Sequence, residues 1–114
     1  MKYIKTMTIL FLFICSFALN ANELVTLNTR ANVTQKFILI KPDNPVATVI
    51  LFAGGKGNLN LSLIGDTPNI GWLNDNFLVR SKVEFVRNNF MVAIVDSPSD
   101  QKSEEGMYGG FRHS

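Results

Sequence analysis

The stretch Val46-Ala47-Thr48-Val49-Ile50-Leu51-Phe52-Ala53-Gly54-Gly55-Lys56-Gly57-Asn58 decides the fold of this chain. Its first seven residues are nearly all apolar and rich in β-branched side chains, the pattern of a strand covered on both faces. Gly54, Gly55 and Gly57 follow at once. Glycines there let the backbone turn sharply and aim amides at a bound group.

Downstream, Asp75 or Asn76 can cap a helix that runs to about Asn88. Within it Val79, Val83, Val86 and then Phe90 recur at steps of four, three and four residues, which predicts one apolar stripe. Arg80, Lys82, Glu84 and Arg87 occupy the other surface, with Arg80 spaced to pair with Glu84. Asn88-Asn89 suits a helix stop, because Asn tolerates the left-handed conformation. Phe90 to Val95 (FMVAIV) is a second continuous apolar strand, closed by Asp96. Strand, helix and strand make a βαβ unit with parallel strands and a right-handed crossover.

Upstream, Gln35 to Lys41 (QKFILIK) reads as a strand, and Pro42-Asp43-Asn44-Pro45 as a turn. These predict an antiparallel hairpin between Gln35–Lys41 and Val46–Phe52. Asn22 to Val33 is polar-leaning, with an edge strand expected around Leu24 to Leu27. The 22 residues from Ala53 to Asn74 exceed a passive loop, and the alternation of Leu59, Leu61 and Leu63 suits a very short strand. The expected fold class is therefore α/β: a β-hairpin followed by a βαβ unit. One helix covers only one face of such a sheet, so the sheet is expected to be incomplete at its C-terminal side.

The chain has 114 residues, is 46% hydrophobic and carries a formal charge of +2. Lys2 and Lys5 account for that charge. They precede an apolar segment from Met7 to Leu19, with Ala18 and Ala21 as small residues before a cleavage point. This is the layout of a secretory signal peptide over 1–21, and the segment is short beside the roughly 20 residues a membrane span needs. The expected location is the periplasm or the exterior, with a membrane anchor through an uncleaved leader as the alternative. Residues 22–114 then form one domain with nine basic and nine acidic residues, which gives no support for a nucleic-acid surface. Cys15 is the only cysteine, so no disulfide framework is possible.

The glycine turn admits several chemistries. A Walker A loop needs Ser or Thr after Gly-Lys, and Gly57 stands there instead. A dinucleotide loop needs a third glycine where Asn60 stands. An oxyanion loop and a turn serving only chain reversal remain.

The stretches Val49-Ile50-Leu51-Phe52-Ala53-Gly54-Gly55-Lys56-Gly57, Asn76-Phe77-Leu78-Val79-Arg80-Ser81, Val95-Asp96-Ser97-Pro98-Ser99-Asp100 and Phe111-Arg112-His113-Ser114 stand in an order that resembles the N-terminal part of a bacterial, often secreted, α/β-hydrolase family. The resemblance spans about 49–114. It implies an oxyanion loop at Gly54, Gly55 and Lys56, acting through backbone amides; separately, no cofactor and no metal are expected. It also implies ester or related acyl hydrolysis in a longer relative. The nucleophile elbow that the resemblance calls for would lie beyond Ser114, so this chain is expected to lack catalysis alone. His113, the only histidine, is not read as a catalytic base.

Other candidates are weaker. Asp96 and Asp100 lie four apart across Pro98, a spacing compatible with paired carboxylates or a metal site, although a loop-ordering role for Asp96 fits better. Lys56 suits a solvated loop position first and an anionic group above the sheet second, and Trp72 and Tyr108 suit a cleft wall or a local apolar patch. The rival assignment is a small periplasmic binding or interaction module. A complementing protein or self-association is expected of an uncovered sheet, with an ester substrate only in a complete relative.

Overall fold

The computed structural model describes residues 21–102 and 106–107. Residues 1–20 of the expected leader 1–21, Tyr108 and the stretch Phe111–Ser114 lie outside the described residues. The chain order is β1 (Ala21–Arg30), β2 (Val33–Lys41), β3 (Ala47–Phe52), β4 (Leu61–Ile64), β5 (Thr67–Ile70), α1 (Phe77–Arg87), β6 (Phe90–Val95) and a 3-10 turn (Ser99–Gln101). Four strands form a mixed sheet in the order β1-β2-β6-β3, and β4-β5 is a separate two-stranded hairpin. This is a mixed α/β architecture. The parallel β3–β6 pair, Ala47 opposite Phe90 through Phe52 opposite Val95, is the βαβ unit expected from the two apolar runs.

The hairpin, however, is not between Gln35–Lys41 and the glycine-bearing strand. β2 pairs antiparallel with β1, and β6 lies between β2 and β3. The strand Phe90–Val95 is apolar on both sides and takes the central place, where Val92, Ala93 and Ile94 are all buried. The link after β2 crosses the start of β6, where Asn89 Nδ2 donates to the Asn44 carbonyl (2.6 Å) and Val46 N–H donates to the Asn89 carbonyl (2.9 Å). Both asparagines adopt positive φ, 64° and 50°, which Asn tolerates better than most residues. The hairpin instead turns at Ala31-Asn32, with a bulge between Asn28 and Arg30. It spans far more than the expected edge strand around Leu24–Leu27.

Strand alternation sorts the sheet into two unlike faces. Ile38, Ile40, Val92, Ile94, Val49 and Leu51 share one face by register, and α1 and the β4–β5 hairpin close over it. Val79 is fully buried there, with Phe85 and Val86 packed alongside. The helix is rotated from the expected stripe: Val83 is 46% exposed, while Phe85 meets Phe90 edge-on, ring centroids 6.1 Å apart. Glu84 pairs with Arg87 at 3.0 Å rather than with Arg80. Asn76 caps the first turn by accepting from Leu78 N–H at 3.0 Å.

The other face is not covered as the apolar run of β3 predicts. Ile50 is 57% and Phe52 55% exposed, and β3 ends the sheet with no described strand beyond it. The edge residues ATVILF include no charge and no proline, two of the usual guards against edge-to-edge pairing. The chain should therefore self-associate as concentration rises in sedimentation experiments, and Ile50→Lys with Phe52→Lys should return it to monomer. A wild-type chain that stays monomeric throughout contradicts this.

Candidate functional site

One carboxylate joins the end of β6 to the loop that leaves β3. Asp96 follows β6 directly and its side chain is 1% exposed. Oδ1 accepts from the N–H of Leu59 (2.7 Å) and of Ser97 (2.8 Å). Oδ2 accepts from Leu61 N–H (3.0 Å) and pairs with the Lys102 ammonium at 2.5 Å. Asn60, between the two loop donors, has φ 51°, and that bend accompanies two nearby amides meeting one side chain. The Asp96 main chain is held as well: its N–H donates to the Lys36 carbonyl (2.9 Å) and its carbonyl accepts from Gln35 Nε2 (2.5 Å).

Burial pushes the Asp96 carboxyl up, but the Lys102 hydrogen bond, the Leu61 and Leu59 amides and the Lys102 charge outweigh it. The net effect holds the group below its ordinary 3.8. Asn58, 5% exposed, extends the lattice: its Oδ1 accepts from Asn60 N–H (3.3 Å) and Lys102 Nζ (3.4 Å), and its Nδ2 donates to the Lys102 carbonyl (3.4 Å).

This lattice supports the glycine turn. Gly57 N–H donates to the Gly54 carbonyl at 3.4 Å, closing a turn over Gly55 and Lys56. Gly55 has φ 63°; a Cβ there meets nothing within 4 Å, so backbone strain and not collision selects glycine. The Lys56 carbonyl accepts from Met107 N–H at 2.9 Å, and a Cβ on Gly106 would strike that same carbonyl oxygen. The amides of Gly54, Gly55 and Lys56 donate no hydrogen bond among the described residues.

Those three residues line a cleft of about 350 Å³, together with Asn58, Trp72, Leu73 and Lys102. Its size falls at the lower end of small-molecule pockets. Trp72 is 54% exposed, and its backbone N–H donates to the Leu59 carbonyl at 2.9 Å. Leu73 has φ 54°, a strained conformation for a bulky side chain, of the kind that collects at binding sites.

Of the candidates read from the sequence, Gly54, Gly55, Lys56 and Trp72 come together at this cleft. Asp96 stands beneath the loop and orders it. Asp100 does not join Asp96; both its oxygens pair with Arg30, at 2.9 and 3.1 Å. Tyr108, His113 and Ser114 lie outside the described residues. No three His, Cys, Asp or Glu side chains converge among the described residues. Sequence patterns missed Asn58, Leu73 and Lys102. Asn58 and Lys102 are 44 residues apart, and no local motif links them.

Asp96→Asn should destabilise the chain by about 3 kcal/mol, because it leaves Lys102 without its charge partner and turns one acceptor into a donor. The lowered Asp96 carboxyl contributes stability that is present above the unfolded value of 3.8 and is lost as pH falls through the folded value. Thermal unfolding between pH 6 and 2.5 should show Tm dropping below about pH 4, with a smaller drop in Asp96→Asn. An equal drop in both would refute the assignment; Asp100 is held low in the same direction by Arg30 and is common to both chains.

No family model, curated protein or solved structure matches this chain, so the function of the site rests on its own geometry.

Proposed function

We propose that this chain is the oxyanion-loop half of an exported α/β-hydrolase-like domain that acts on esters or related acyl compounds. The observation that carries the proposal is that Gly54, Gly55 and Lys56, whose amides donate no hydrogen bond among the described residues, all line one cleft at the end of β3. Acyl transfer builds negative charge on a carbonyl oxygen, and rigid N–H donors aimed at that oxygen lower the barrier. In α/β-hydrolases one such donor comes from the loop between the third strand and the helix that follows. The glycine turn follows β3 directly here, and the β4–β5 hairpin stands between it and α1.

A second donor and a nucleophile are proposed to come from a further strand, since the described residues contain no histidine to activate a serine. The open edge of β3 is the natural seat for a further strand carrying them. Export rests on the leader over 1–21, with the periplasm or the exterior as destination. The chain alone is proposed to bind at most, and the exposed Ile50 and Phe52 favour association with a complementing protein or a second copy.

The experiment begins with the coding sequence downstream of the Ser114 codon, where a Gly-x-Ser-x-Gly segment is expected. In the product that carries it, Lys56→Pro removes one loop N–H and Lys56→Ala keeps it. Lys56→Pro should lower kcat for a simple ester by about 100-fold with circular dichroism unchanged, and Lys56→Ala should stay near wild type. Equal activity in the two variants, or no such segment downstream, would overturn the proposal.

A further inference from the structure

A second and smaller pocket, of about 150 Å³, shares Lys102 with the cleft. Lys36, Thr34, Ser97 and Ser99 line it, bringing one ammonium and three hydroxyls to one place. Ser97 is 1% exposed, and its Oγ has no hydrogen-bond partner among the described residues. Buried hydroxyls are nearly always hydrogen-bonded, so an orphan on a pocket wall points to a ligand. Ser99 Oγ accepts from Thr34 N–H at 2.9 Å, which leaves its own proton to donate.

Charge selects the class of that ligand. Lys102 is engaged by Asp96 at 2.5 Å, whereas Lys36 has no ion-pair partner among the described residues. The three charges around the pocket sum to one positive. A singly charged anion balances it, and the Asp96 carboxylate in the wall opposes a second negative charge. A cation would face two ammoniums, and both Asp96 oxygens are already taken twice. At about 30 Å³ per water, the space suits a group of only a few heavy atoms.

We propose that this pocket binds a small monocarboxylate, whose oxygens accept hydrogen bonds from Lys36 Nζ and Ser97 Oγ. The site is independent of the chemistry assigned to the neighbouring cleft.

The test uses amide spectra of the full chain titrated with sodium acetate, with ionic strength held constant by sodium chloride. Thr34, Ser97 and Ser99 amides should shift and saturate. Lys36→Met should weaken binding by about tenfold, Lys36→Arg should retain it, and Ser97→Ala should weaken it without loss of stability. Inorganic phosphate at pH 7.5 should bind more weakly than acetate. Shifts that stay linear in acetate, saturation unchanged by both Lys36→Met and Ser97→Ala, or tighter binding of phosphate would each overturn the assignment. The dispersion of the same spectra reports whether each variant is folded, and Ser97→Ala, which removes only an unpartnered hydroxyl, carries the test if Lys36→Met is not.

Discussion

The carboxylate of Asp96 is the constraint on which the rest of this structure depends. A charge taken out of water is tolerated only where donors replace its hydration. Here three backbone amides and one ammonium do so. Two of those amides belong to Leu59 and Leu61, more than 30 residues earlier in the chain, so the interaction fastens the loop after β3 to the end of β6. Leu59 and Leu61 are themselves buried in the core. The polar anchor and the apolar packing therefore fix the same short segment from two sides. The glycine turn, which has little side-chain packing of its own, inherits its position from that segment.

The second organising feature is the asymmetry of the sheet. The face under α1 and the β4–β5 hairpin is packed, and the face bearing Ile50 and Phe52 is not. Both the cleft and the smaller pocket lie at the end of the sheet where β3 and β6 finish, beside Asp96 and Lys102. Ligands of open α/β sheets gather in the same place, outside the carboxyl ends of the strands.

Much of this was legible in the sequence because it is written locally. The runs at 46–52 and 90–95, the Asn76 cap and the Asn88-Asn89 stop each depend on neighbouring residues, and the elements fall within a residue or two of them. Strand partners are not local. QKFILIK has the same pattern whether β1, β3 or β6 lies beside it, so the expected hairpin with β3 carried no discriminating signal. The helix face was offset because Phe85, not Val83, reaches the core and meets Phe90. The strand Thr67–Ile70 was hidden by Pro68, which an edge strand of a two-stranded hairpin accommodates. At the site, glycine spacing marked the turn, but Asn58 and Lys102 meet only through the fold.

The central claim is that Asp96 holds the loop, and amide hydrogen exchange at Leu59 and Leu61 tests it most directly. In the wild-type chain at neutral pH both amides should be strongly protected. In Asp96→Asn, under conditions where β6 amides such as Val92 remain protected, Leu59 and Leu61 should exchange about 100-fold faster, reflecting the loss of roughly 3 kcal/mol of local anchoring. Unchanged protection at both positions would contradict the account.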